Sequence, residues 1–226
     1  MKYPYLLLDA DNTLFDFDAG NRHAFHEVCA RYDIPDTEES FQCYKRCNNA
    51  MWAAFDRGEC TKDFLVVERF RRFLKEMDLD QDAARCNELH LQVLGQNTLL
   101  LPHALEVCRG LSREHRLYIV TNAVAAVQRS RLAGSAIAPY ITGAFISEEA
   151  GASKPSAAYF DYVFSRIDGI TRENCLLVGD SLSSDIRGAN NYGLPCCWYN
   201  PKEAARPEDL RIDYEIRDLR QLYDLV

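Results

Sequence analysis

Four short apolar runs, YLLLD (5–9), LYIVTN (117–122), CLLVGD (175–180) and PCCWYN (195–200), end abruptly in polar or acidic residues, and GAFIS (143–147) is a weaker fifth. Short apolar runs without polar alternation suit strands buried on both faces, as in a parallel sheet. Between most of them lie stretches with helical periodicity: PHALEVCRGLSREH, AAVQRSRLAG, SAAYFDYVFSRI and SSDIRGANNYG. Strand alternating with helix implies right-handed crossovers and a doubly wound, Rossmann-like parallel α/β sheet.

One interval breaks the rhythm. From about residue 17 to 98 no strand pattern occurs. NRHAFHEVCARY, EESFQCYKRCNNAMWAAF, TKDFLVVERFRRFLKEM and QDAARCNELHLQVLGQ instead repeat apolar residues at helical spacing. Breakers at Pro35, Gly58 and Pro102 mark joints. The expected organisation is an α/β core over 1–16 and 99–226 with an all-helical domain, 17–98, inserted after the first strand. A chain of 226 residues, 47% hydrophobic, has enough apolar surface for that core.

The residues able to do chemistry gather at strand ends. Asp9 and Asp11 follow the first run, Thr121 and Asn122 close the second, Lys154 lies in GASKPSAAYF, and Asp180 and Asp185 stand in GDSLSSD. Ligands of open α/β sheets bind at the carboxyl ends of the strands, so these positions share one edge. Two carboxylates about 4 Å apart repel by roughly 4 kcal/mol at an effective dielectric near 20, and four at one edge demand a cation. Ligands that are all oxygen point to magnesium. An aspartate is ionised at neutral pH and attacks phosphorus once a metal and a lysine offset the phosphoryl charge. A second carboxyl beside it protonates the leaving oxygen and then deprotonates the water that hydrolyses the acyl phosphate.

Charge and composition exclude other classes. A net charge of −8 offers no broad basic surface for a nucleic-acid polymer or an anionic membrane. No run of about 18 apolar residues occurs, and MKYPYLLLDAD meets charge too early for a secretory segment, so a cytoplasmic location is expected. The nine cysteines lack paired CxxC spacing and are read as reduced, packed thiols.

DADNT, VTN, SKP and GDSLSSD, in that order, resemble the four motifs of the haloacid dehalogenase (HAD) superfamily of phosphohydrolases, and the helical insert resembles its C1-type cap. The resemblance implies Asp9 as nucleophile, Asp11 as acid/base, Thr121 as a donor to the phosphoryl group and Lys154 as charge clamp. Asp180 would ligate magnesium with a carboxylate oxygen of Asp9 and the main-chain carbonyl of Asp11, and Asp185 would support the metal. LFDFD, NNAMWAAFDRGE, ISEEAGASKP and CCWYN are similar to the YjjG-type branch of 5'-nucleotidases for pyrimidine nucleoside monophosphates. His103 and Ala123 depart from the glycines common at their positions.

The expected partner is thus a small phosphorylated metabolite, a nucleoside monophosphate on that resemblance. A sugar-phosphate phosphatase or phosphomutase would share every motif, and a non-catalytic binding module would share the fold; a dehalogenase would not keep an acid at Asp11. Asn122, Trp52, Asn48 and Arg69 are the candidate substrate contacts. Trp52 with Phe55, three apart on a helix, is more often core packing than a stacking platform, and Asn48, Asn49 and Arg69 as readily lie on a solvated face. His23 and His26 lack metal-ligand spacing.

Overall fold

A computed structural model describes residues 2–226 and divides into two compact units, Met1–Phe17 with Thr98–Val226, and Asp18–Asn97. The first unit holds six parallel strands: β1 (Tyr5–Leu8), β2 (Arg116–Thr121), β3 (Gly143–Ile146), β4 (Cys175–Gly179), β5 (Cys196–Tyr199) and β6 (Tyr214–Ile216), in the order β3-β2-β1-β4-β5-β6. The chain winds outward from β1 to β3, then crosses to β4 on the other flank. That makes the gap between β1 and β4 the point where the winding reverses, the place such sheets offer a ligand. β6, a three-residue edge strand, carries no sequence signal of its own.

β1, β2, β4 and β5 bury both faces, as their apolar composition requires. Leu6 and Leu8 of β1 enter one core with Leu117, Ile119, Leu176 and Val178; Leu7 enters the opposite core with Val120, Leu177, Tyr159 and Phe160.

The second unit consists of α1 (Phe17–Tyr32), whose first residue belongs to the sheet unit, α2 (Glu38–Asp56), α3 (Lys62–Glu76) and α4 (Ala83–Gln96). Its helix starts are chemically marked. The Thr37 and Thr61 hydroxyls accept from the amides of Ser40 and Phe64, and the Asp82 carboxylate accepts from Ala84 and Arg85. Phe25, Tyr44, Phe70, Phe73, Cys43 and Cys86 fill its interior. Among the described residues all nine cysteines are free thiols, and no helix is long and apolar enough to cross a membrane.

Candidate active site

β1 delivers Asp9 to the switch point, where its amide donates to the Val178 carbonyl of β4 at 2.9 Å. The chain then folds back on itself. The amides of Leu14 and Phe15 both reach the Ala10 carbonyl at 2.9 Å, and Asn12 adopts φ 59, a left-handed conformation that asparagine tolerates. This tight turn returns Thr13 toward Asp9. The Thr13 hydroxyl, fully buried, lies 3.2 Å from Asp9 Oδ2 and 3.4 Å from Asp180 Oδ1, and accepts the Asp180 amide at 3.1 Å. Sequence reasoning passed over Thr13, although it stands four residues from Asp9 in the DADNT run.

Lys154 is 1% exposed, and its ammonium donates to Asp9 Oδ1 (2.6 Å), Asp185 Oδ1 (2.6 Å) and the Val120 carbonyl (2.7 Å). Three donors meet three acceptors. Asn122, expected to contact substrate, instead holds this lysine's loop: its Nδ2 donates to the Lys154 carbonyl at 2.8 Å and its Oδ1 accepts the Lys154 amide at 3.0 Å. One bond from each end of the amide thus serves to position that loop. Thr121 accepts the Ala123 amide at its hydroxyl, which leaves the hydroxyl proton to be donated. The Thr121 amide donates to the Tyr159 hydroxyl, itself a donor to the Phe145 carbonyl.

Beyond β4, a wide turn directs the amides of both Asp185 and Ile186 to the Ser181 carbonyl. It turns the fully buried Asp185 carboxylate inward, where Oδ2 accepts from the Ser181 amide and Oδ1 from Lys154. Asp185 was expected to support the metal; its bonds to Lys154 and the Ser181 amide also make it the counter-charge of Lys154. Gly179 makes the approach feasible, since a Cβ there would lie 2.3 Å from the Asp185 carboxyl carbon.

Oxygens of Asp9, Asp180 and Asp185 come within 4.8 Å of one another. Burial, then repulsion from Asp185, pushes Asp9 up to about 7 against the pull of Lys154. Burial, then Asp9 and Asp185, pushes Asp180 up to about 8. Burial opposes the charge on Lys154, but Asp185 and Asp9 outweigh it and hold the ammonium above its ordinary value. Were all three carboxylates ionised, the one ammonium would leave two negative charges unbalanced among these oxygen donors. Such a donor set fits a hard divalent cation.

Asp11, the other early carboxylate, points to Arg131, to which it is bonded through Oδ1 and Nη1. Arg131 lies on α6 (Ala125–Gly134) and is fully buried. Sequence reasoning missed it. The available signal was an arginine on the same helix face as Val127 and Gln128, which are also buried.

In the helical unit, Asn48 and Arg69 depart from the expectation that they are open to a substrate. Arg69 is 2% exposed; it donates through Nη1 to Asn48 Oδ1 (2.9 Å), through Nη2 to Asn87 Oδ1 (3.0 Å) and through Nε to the Val66 carbonyl (3.0 Å). Nη2 also faces His90 Nδ1 at 3.3 Å. Because a guanidinium only donates, Nδ1 accepts and the neutral ring carries its proton on Nε2, 3.0 Å from Asn21 Oδ1. Burial, then the Arg69 charge, holds His90 well below its ordinary value. The reason for the departure is helical phase: Arg69 shares the face of α3 that carries Leu65, Phe70 and Phe73. Arg69→Met is expected to leave two buried amide oxygens unpaired and to destabilise the protein by about 2–4 kcal/mol in denaturant titration. Trp52 is half-buried, edge-on to Phe55 with ring centroids 5.7 Å apart.

His103 caps α5 (Ala104–Leu111) with φ 65, a left-handed position that explains why glycine is common there. It sits 3.2 Å from Glu106 and 3.8 Å from Asp218.

The likeness to known proteins runs over nearly the whole chain. The pyrimidine 5'-nucleotidase PynA of Streptococcus pneumoniae is 32% identical over 99% of this chain and 95% of its own. The pyrimidine 5'-nucleotidase YjjG of Escherichia coli is 30% identical over 100% of this chain and 99% of its own. A crystal structure of the HAD-hydrolase YfnB from Bacillus subtilis, bound to magnesium, superposes with a TM-score of 0.95 at 36% identity, covering 100% of this chain and 99% of that one. The family model for haloacid dehalogenase-like hydrolases matches residues 3–193, a span that takes in every member of the carboxylate cluster and its lysine. The chain belongs to the haloacid dehalogenase-like hydrolases.

Proposed function

We propose that the chain is a magnesium-dependent phosphomonoesterase that works through an aspartyl phosphate, and that it is a 5'-nucleotidase for pyrimidine nucleoside monophosphates. The observation that carries the chemistry is Asp9 at the switch point, tied to Lys154 at 2.6 Å, within a cluster of three carboxylates and one ammonium. The substrate class rests on the likeness to PynA and YjjG.

Asp9 and Asp180 would hold the metal with the main-chain carbonyl of Asp11, and bound magnesium supplies the charge that offsets the phosphoryl oxygens. The chain's own groups do the rest. Asp9 attacks phosphorus as the bond to the leaving oxygen breaks, and Asp11 gives that oxygen its proton. Asp11, now a carboxylate, takes a proton from water; the water oxygen bonds phosphorus, the bond to Asp9 breaks, and phosphate departs. Lys154, with its donors spent on Asp9, Asp185 and Val120, fixes the direction of the nucleophile and balances its neighbours. The Thr121 proton is offered to the phosphoryl group.

A screen of about a hundred phosphate monoesters is expected to place UMP, dUMP and dTMP above sugar phosphates by at least about tenfold in kcat/KM, roughly 1.4 kcal/mol. Free phosphate should accumulate with each turnover. A sugar phosphate at the head of the ranking would overturn the nucleotidase reading, and an isomerised ester in place of phosphate would make the protein a mutase. Trp52→Ala separates base stacking from packing: lost nucleotide preference with an unchanged Tm indicates stacking, and a lowered Tm with preference intact indicates packing.

A further inference from the structure

Arg131 and Asp11 are 120 positions apart in sequence, yet a fully buried guanidinium grips the carboxylate that the proposed chemistry uses twice. Nothing about α6 as a covering helix requires an arginine there. Desolvating a guanidinium is costly, and an apolar residue of similar volume packs at least as well. Here the guanidinium is itself held from two sides. Nη1 also donates to Gln128 Oε1 at 3.1 Å, one helical turn earlier, and the group lies 4.5 Å above the ring of Phe15. Phe15 is fully buried and belongs to the same turn as Asp11, with which it forms an isolated β-bridge. The arginine is therefore rigid and keyed to that turn. The Asp11 side chain retains 25% of its exposure while its partner has none. Arg131 thus anchors Oδ1 of a carboxylate that stays partly open to solvent.

From this we infer that Arg131 is the positioning residue for the acid/base: by holding Asp11 Oδ1 it sets where the second oxygen meets the leaving group and, later, the water. The inference rests on the acid/base reading of Asp11 and extends it. Proton transfer needs heavy atoms within about 2.6–3.2 Å, and a carboxylate free to rotate spends little time in such a pose.

The test compares two substrates that differ in their need for a proton. UMP has a poor alkoxide leaving group, whereas p-nitrophenyl phosphate leaves without protonation. Rapid-quench measurement of phosphoenzyme formation would be made on the full chain with Arg131→Met, Arg131→Lys, Asp11→Asn and the double variant Arg131→Met/Asp11→Asn. Burst amplitude with the aryl phosphate counts folded sites, so a folding defect lowers amplitude and leaves the rate readable.

Arg131→Met is expected to slow phosphorylation by UMP at least about 100-fold, the lower end of what acid/base catalysis contributes, and by the aryl phosphate no more than about threefold. Arg131→Lys should fall between it and the unaltered protein with UMP, because an ammonium keeps the charge and loses the fixed fork. The double variant should be no slower than Asp11→Asn alone. Equal slowing with both substrates, or a double variant whose defects multiply, would reduce Arg131 to a structural residue and overturn the inference. Should Asp11→Asn itself treat both substrates alike, the acid/base assignment fails and takes the inference with it; should Asp11→Asn discriminate while Arg131→Met does not, the inference alone falls.

Discussion

Asp9→Asn is expected to abolish phosphoenzyme formation and to lower kcat by at least about four orders of magnitude, because an amide at that position cannot form the acyl phosphate. Asp11→Asn should fail in a different way. It keeps the nucleophile, its contacts to Lys154 and Thr13, and the main-chain carbonyl at position 11. What it loses is a group to protonate the leaving oxygen and to deprotonate water. With an activated aryl phosphate this variant should phosphorylate and stall, giving a burst of about one equivalent followed by slow release. Intact-mass measurement after acid quench detects the added phosphoryl group, and peptide mapping locates it. Unchanged turnover of UMP by the Asp11 variant, or a phosphoryl group on any residue other than Asp9, would sink the two-aspartate mechanism.

The carboxylate cluster also predicts an unusual pH dependence of stability. Asp9 and Asp180, ordinarily near 3.8, are pushed up to about 7 and about 8 in the folded protein. A carboxyl raised in this way favours folding while it is protonated, so its contribution is present at low pH and is lost as pH rises through the folded value. Above pH 6.5 the unfolded chain holds neither proton and the folded metal-free protein still holds part of both. Its stability should therefore fall between pH 6.5 and 8.5, by about 3 kcal/mol, or roughly 6–12 °C in Tm for a chain of this size. The window begins at 6.5 because His90, held below its ordinary value, tilts the curve the other way at lower pH.

Magnesium should flatten the decline, since a divalent cation stabilises the ionised cluster and binds the folded state alone. Asp180→Asn should remove the larger part of the slope. Differential scanning fluorimetry in chelator and in saturating magnesium gives both curves. A flat metal-free profile, or no rise in Tm with magnesium at pH 8.5, would mean that the carboxylates do not form the cation site proposed here.

The sheet was legible because each inner strand is an apolar run ending in polar residues, and a buried parallel strand tolerates little else. The edge strand β6 was not, since three residues lying partly in solvent are too short to show a pattern. Asp9, Lys154, Asp180 and Asp185 could be assigned to one edge from chain order alone, because carboxyl ends of parallel strands converge by topology. The same argument stops at the side chain. It places Asn122 on that edge without telling that its amide turns to the Lys154 backbone, and it says nothing of Thr13 as the hydroxyl between Asp9 and Asp180.

The sequence by itself thus determined a parallel α/β core, a helical insert and an acidic sheet edge, because periodicity and strand-end chemistry are local properties that any fold must respect. Partner choice was decided only by tertiary structure. Arg69 repeats in phase with Leu65 and Phe73, which marks it as inward-facing, but Asn48, Asn87 and His90 reach it from two other helices. Arg131 meets Asp11 across 120 residues and Lys154 meets Asp9 across 145, separations over which no local pattern runs. A buried charge takes its counter-charge from whatever the fold brings within hydrogen-bond reach, and that pairing exists only once the chain has closed on itself.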